Sequence, residues 1–350
     1  MNMFARTKDI GLVAQAKPRV GGKFPLLAFG FLLTAIGLTG AQIDQAAGAE
    51  ARWQREWPNT DFSRASVDLR EIEEGGPPKD GIPAIDRPRF SGAQKPYPIE
   101  LGEDEPVIAF AVDGDARAYP LRILMRHEIV NDVVGGRPVT VTYCPLCNTA
   151  IVFDRKLDGT VYDFGTTGKL RNSDLVMYDR QTETWWQQFT GEAIVGELAE
   201  RRLRILPSRI ESIALFRDRY PMGRILLPAY SDADSYFNSY RRYDSSRRPF
   251  LFRGRLPRGI RAMARVVAVG ERAWALERLV AEGRIEEDGL ILSWTDGQNS
   301  ALDTRDIAQG RDVGNVVVQR RTDEGLVDVA HHVTFAFAFH AFYPDAEISR

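Results

Sequence analysis

Both cysteines of this 350-residue chain sit in one short phrase, Cys144-Pro145-Leu146-Cys147, inside VTVTYCPLCNTAIVFDR at residues 139–155. Two thiols that close support three chemistries. One thiolate can attack a partner disulfide while its neighbour resolves the mixed disulfide. Two thiolates can instead hold a soft ion such as Cu(I), with a histidine as third ligand. Or the pair closes a short inert disulfide, which adds little chain-entropy stabilisation because that contribution grows with loop length. A zinc site of four cysteines is beyond a chain that has two.

The flanking runs are β-branched and aromatic, so the phrase reads as a hairpin with the thiols at its tip. After Cys147 comes the strand-like Asn148–Phe153. The helix that lowers a thiol pKa in thioredoxin-type sites is therefore not expected here.

Upstream, VIAFAV from Val107 is an apolar strand and Asp113-Gly114-Asp115 a tight turn. Ala118 to His127 has Pro120 near its start and Leu121, Leu124 and Met125 at helical spacing. That helix would deliver His127 just ahead of the hairpin, in His127-Glu128-Ile129-Val130-Asn131-Asp132. Packed back on the hairpin, the imidazole would be a proton acceptor for the thiols or a co-ligand beside them; the plain alternative is a helix-end contact. His331, His332 and His340 lie in an apolar segment where structural roles lead.

Downstream, Gly165-Thr166-Thr167-Gly168-Lys169-Leu170-Arg171-Asn172-Ser173-Asp174 lacks phosphate-loop spacing. Its glycines fit a close backbone approach, with Lys169, Arg171 and Asp174 as candidates to line a cleft. Thr184–Phe189 reads as a strand that places Trp185 and Trp186 on opposite faces. Trp186 and Gln187 join the candidate cleft. No G-x-S-x-G, H-E-x-x-H or dinucleotide signature occurs, so hydrolase, protease and nucleotide readings start low.

The same grammar recurs. Arg117, Ala118, Tyr119, Leu121 and Leu124 match Arg272, Ala273, Trp274, Leu276 and Leu279 at constant offset. With four residues dropped, Val139, Val141 and Tyr143 fall on Leu290, Leu292 and Trp294, while Cys144 and Cys147 fall on Thr295 and Gln298. The expectation is an internal duplication of a strand, helix and hairpin unit, with halves at 107–155 and 265–305. One copy would keep the architecture and the other the chemistry.

Composition, 44% hydrophobic and 27% charged with a net charge of −2, is globular and gives nucleic acid no basic surface to bind. Arg241-Arg242 and Arg247-Arg248 read as solvated surface in a polar loop spanning Tyr230–Arg248. Residues 1–49 have five Lys or Arg, an apolar run from Phe24 and then Ala47-Gly48-Ala49, the order of a secretory signal or an uncleaved anchor. The expected location is periplasmic or secreted, with membrane attachment only through that segment. Residues 50–95 form an irregular lead-in and 96–350 the main domain.

At Asp80-Gly81-Ile82-Pro83, His127–Asp132, Thr142–Cys147, Gly168–Asp179, Trp186-Gln187-Gln188 and Thr190–Gly196, the chain resembles the bacterial family DUF3179, from about Asp80 to the C-terminus. The family supplies no activity. Selenocysteine in the cysteine-pair motif of some relatives favours redox chemistry. Departures lie mostly after Gly196, in Glu197–Arg202, Tyr230–Arg248 and His340.

The expected fold is α+β and mainly β, with antiparallel sheets and a few short helices. The expected function is thiol/disulfide redox chemistry by Cys144 and Cys147 with His127 as proton acceptor and no cofactor. Its partner would be an exported protein or a small-molecule thiol or disulfide. The alternatives are copper binding by Cys144, Cys147 and His127, or a ligand-binding module with a structural disulfide.

Overall fold

Val107–Val112 and the residues after Asp113-Gly114 cannot stay extended through a turn in which both residues take positive φ, 50° and 79°. They fold back as the antiparallel strands Pro106–Val112 and Asp115–Pro120. Pro120 ends the second strand and takes the N-cap of the helix Leu121–His127. The helix therefore starts three residues after the expected Ala118, because Arg117 to Tyr119 are spent pairing with Ile108 to Phe110. A second hairpin comes next, Ile129–Val134 with Arg137–Cys144, and its second strand pairs onward with Thr149–Asp154. Val133 and Val134 thus belong to the first strand of this hairpin, and the turn between its strands is Gly135-Gly136.

The computed structural model describes residues 52–229 and 236–350; the leader expected at 1–49 lies outside them. No helix of the described residues is long and apolar enough to cross a membrane. The expected mainly β architecture is what the chain adopts: several antiparallel sheets joined by short helices.

The element order of the first half returns in the second. Arg265–Val269 and Arg272–Ala275 pair, the helix Leu276–Glu282 is next, and then the hairpin Arg284–Glu287 with Leu290–Thr295, which continues to Asn315–Thr322. The likeness extends further along the chain. Arg209–Ser212 pairs with the first strand of the first half and leads into the helix Ile213–Arg219. His332–Phe335 pairs with Arg265–Val269 and leads into Ala336–Phe342. Each half is closed by a parallel strand, Arg224–Leu226 or Ile348–Ser349. The apolar C-terminal segment is strand and helix in succession, strand to Phe335 and helix from Ala336.

Between the halves' shared elements the first inserts a sheet of its own: Phe164–Arg171, Asp174–Asp179, Trp185–Gln187 and Ala193–Val195. Trp185 and Trp186 do point to opposite faces, but both are fully buried. Trp186 enters the main core, its ring edge-on to Phe164 at 5.8 Å and its indole N–H donating to Asp179 Oδ2 at 2.9 Å. Trp185 is covered by Trp53, Trp57 and Phe62 of the lead-in, with ring centroids 5.4, 5.4 and 5.3 Å away. Edge-to-face pairs of this kind each add about 0.5–1.5 kcal/mol beyond the area they bury. The lead-in is thus part of the core, and Trp186 floors no cleft.

Candidate functional site

The cysteine hairpin forms as its pattern requires. Arg137–Cys144 and Thr149–Asp154 close with Cys144 opposite Thr149, and Asn148 takes a left-handed φ of 54° to complete the turn. The tip does not project into solvent. The second half clamps it: Phe335 N–H and Thr334 Oγ1 donate to the Cys147 carbonyl at 3.1 and 2.8 Å, and Asn148 Nδ2 donates to Val333 O at 2.9 Å. Cys144 and Cys147 are free thiols, 2% and 0% exposed.

A second tight turn meets them. Asn172 and Ser173, at φ 56° and 63°, join Phe164–Arg171 to Asp174–Asp179 with Arg171 opposite Asp174. Two left-handed residues in a two-residue loop make the turn that suits strand twist, though the second is ordinarily glycine. Here it aims the Ser173 carbonyl at both thiols, 3.4 Å from Cys147 Sγ and 3.9 Å from Cys144 Sγ. The next residue brings its carboxylate to them. Among the described residues, Cys144 Sγ, Cys147 Sγ and an Asp174 oxygen form the one buried group of potential metal donors, all within 4.8 Å of one another. Asp174 is held from behind, with Oδ2 accepting from Gln187 Nε2 at 2.7 Å and from Phe189 N–H at 2.9 Å. Thr149 Oγ1 donates to Oδ1 at 3.4 Å.

Burial sets the protonation of the group. It raises both thiols above the usual cysteine range, reinforced by Asp174. Burial also pushes the Asp174 carboxyl up to about 6, against the lowering effect of its Gln187 and Phe189 hydrogen bonds.

Glu128 is the residue that sequence reasoning missed. It caps the helix Leu121–His127 with a left-handed φ of 55°, the place where the second half has Gly283 at φ 69°. A side chain at positive φ costs of order 1–3 kcal/mol and marks a position worth asking about. Its carboxyl makes no hydrogen bond or ion pair with another described residue. Burial, with the Asp174 charge next, raises it to about 8. The signal was available: matching His127 to Glu282 in the two halves sets Glu128 on a glycine.

Glu128 and Leu146 of the cysteine turn share a cavity of about 660 Å³ whose walls include Lys169, Leu170, Tyr240 and Tyr243. The segment expected as a polar surface loop covers this cavity. Tyr236, Asn238 and Asp244 in it are buried. Asp244 is bound by Arg265, Arg311 and Ser300, and Tyr243 OH donates to Leu146 O at 3.0 Å. Those long-range partners, invisible in a local window, turn polar residues inward. Tyr230 and residues 231–235 lie outside the described residues.

The other candidates scatter. His127 Nδ1 lies 2.8 Å from the Pro83 carbonyl, and the ring is not among the groups gathered at the thiols. Burial lowers its pKa. Lys169, 1% exposed, lines the cavity while paired with Glu56 at 2.9 Å and Glu74 at 3.1 Å. Arg171 is tied to Glu71 at 2.7 Å and stands over the Phe342 ring. Gln187 reaches the site indirectly, through Asp174. Trp186 is core. Gly168 answers the phosphate-loop pattern: a Cβ there would sit 1.8 Å from the Pro77 carbonyl, so the glycine serves a close backbone crossing.

A β-rich scaffold carrying a buried dithiol and carboxylate beside a ligand-sized cavity is the class of protein these features define. The chain belongs to the family DUF3179, described as protein of unknown function, whose model matches residues 79–346. No curated protein and no solved structure matches the chain.

Proposed function

We propose that Cys144, Cys147 and Asp174 hold a metal ion, and that the protein acts through this centre. The observation that carries the reading is the convergence of two sulfurs and a carboxylate oxygen within 4.8 Å, in a place closed to solvent. Three such donors, once deprotonated, match the sulfur and oxygen ligands of zinc. The carboxylate in third place, where a histidine was expected, moves the preference from Cu(I) toward a borderline divalent ion. Gln187 and the Phe189 amide behind Asp174 are the outer contacts that orient a ligating carboxylate. Three protein ligands leave a fourth position open, the arrangement of centres that activate a bound molecule rather than staple a fold. Glu128, which acts electrostatically on Cys144 and Asp174, is the acid beside it.

The test is metal analysis of protein purified anaerobically without chelator. Occupancy near one ion per chain is expected, falling at least about tenfold in Cys144→Ser and in Asp174→Asn. Wild-type protein that takes up no zinc, copper or iron on reconstitution rejects the centre.

Thiol/disulfide exchange is the second reading, favoured by one observation: the two thiols are neighbours hydrogen-bonded to one carbonyl with a carboxylate at hand to take a proton. It needs a partner that reaches sulfurs buried to within 2%, so a macromolecular disulfide would have to open the cover formed by Tyr240 and Tyr243. A metal-free pair with a reduction potential above about −230 mV would place it among exchange catalysts, and one below about −300 mV among structural bridges.

A further inference from the structure

The cavity beside the centre has a polarity of its own. Its inner end is Glu128 and Leu146, its walls are Leu170, Leu175, Tyr240 and Tyr243, and Arg241 and Arg248 stand at its mouth. Both arginines are exposed, and neither forms an ion pair or side-chain hydrogen bond with a described residue. The buried arginines Arg117, Arg122, Arg155 and Arg265, by contrast, are each paired to a carboxylate. Lys169, the third cation at the cavity, is already neutralised by Glu56 and Glu74. Among the described residues, the mouth therefore carries two positive charges with no carboxylate paired to them, over an apolar interior.

A volume of about 660 Å³ lies within the range of small-molecule sites and is too small for a folded partner. We propose that this cavity binds an amphipathic carboxylic acid, its carboxylate at Arg241 and Arg248 and its apolar body between Tyr240, Tyr243 and Leu170. Guanidinium groups suit that head because their fork of N–H donors matches the two oxygens of a carboxylate. The apolar body replaces water against the aliphatic and aromatic walls, which the charge at the mouth cannot do alone. The orientation leaves the end remote from the carboxylate nearest Leu146 and the cysteine turn, so the site selects by head charge and body length together.

The proposal shares a wall with the metal centre but does not require the metal, so the experiment is run on the purified full chain with EDTA present. Titration calorimetry with dodecanoate below its micelle concentration is expected to give saturable binding of one molecule per chain. Acetate, with the charge and no body, and dodecyltrimethylammonium, with the body and the opposite charge, should bind at least about tenfold more weakly. The double variant Arg241→Ala/Arg248→Ala and the cavity-filling Ser246→Trp should each lose about tenfold or more, with unchanged circular dichroism. The proposal is overturned by absence of saturable binding, by equal affinity for the cationic chain, or by wild-type affinity in both variants. None of these outcomes depends on whether zinc binds.

Discussion

Glu128 and Gly283 end the corresponding helices of the two halves in the same left-handed backbone, at φ 55° and 69°, and their N–H groups donate to Leu124 O and Leu279 O. The capping is shared and the carboxyl is not. One half keeps the residue the backbone prefers; the other places a buried acid on the cavity wall at a conformational cost.

Replacing that acid by its counterpart separates the two roles. Glu128→Gly is expected to raise unfolding stability by about 1 kcal/mol, since relief of left-handed strain exceeds the added entropy of the unfolded glycine. Urea denaturation checks it, and a lower midpoint would mean the carboxyl makes a stabilising contact of its own.

Gln187 is expected to matter twice over. Gln187→Leu removes the donor to Asp174 Oδ2, leaving a buried carboxylate short of a partner at a cost of about 1–3 kcal/mol. Zinc affinity should fall about 10–100-fold in the same variant, because the oxygen facing the thiols is no longer oriented. Competition with a chromogenic chelator measures the second effect, and unchanged affinity would remove Gln187 from the centre.

Acid should destabilise the fold through His332. Its ring is buried against Phe189, and burial lowers its pKa from 6.5 to about 4, with the neighbouring His331 adding to the shift. Nδ1 has no hydrogen-bond partner among the described residues. The unfolded chain binds the proton first, so stability is complete above pH 6.5 and falls as pH drops toward 4, by up to about 3 kcal/mol. Glu128, raised to about 8, acts with the opposite sign, gaining stability as pH falls through that value. The difference between wild type and His332→Gln, tracked by denaturation from pH 7 to 4, isolates the histidine. Parallel pH profiles would exclude it.

Two glycines of the same backbone class should respond differently. Gly168→Ala forces a Cβ into the Pro77 carbonyl at φ +72° and is expected to cost more than about 3 kcal/mol. Gly270→Ala, at φ +56° with nothing within 4 Å, meets only the conformational penalty of about 1–2 kcal/mol. Equal losses in thermal melts would show that the crossing of Pro77 over Gly168 is looser than its geometry.

The lead-in and the family match meet at the same point. The match begins at residue 79, yet Trp53, Trp57 and Phe62 cover Trp185, and Glu56 and Glu74 neutralise the buried Lys169. A chain starting at Lys79 would expose that aromatic face and leave Lys169 without those carboxylates, so it should not fold cooperatively; a sharp two-state melt of the truncated chain would disprove this.

What the sequence determined on its own was local. Alternating β-branched residues around Cys-Pro-Leu-Cys are sufficient for a hairpin with both thiols in its turn, and helical spacing placed a short helix ahead of it. The recurring order of strand, helix and hairpin was legible because Leu121, Leu124 and their matches Leu276 and Leu279 repeat one pattern of burial. Three matters belonged to the tertiary structure alone. His127 is the last residue of its helix, and the passage of Pro83 alongside, 44 residues away in the chain, holds its Nδ1. Asp174 was a candidate for a cleft, but its place at the thiols depends on a two-residue turn with Ser173 left-handed, a conformation that local propensity disfavours and packing imposes. Alternation put Trp185 and Trp186 on two faces, yet whether a face meets water depends on elements far away in the chain, here the lead-in and the main core. Patterns of spacing report what neighbours along the chain do to one another. The centre and its cavity arise where segments distant in sequence are pressed together, and burial there sets the charge that each group carries.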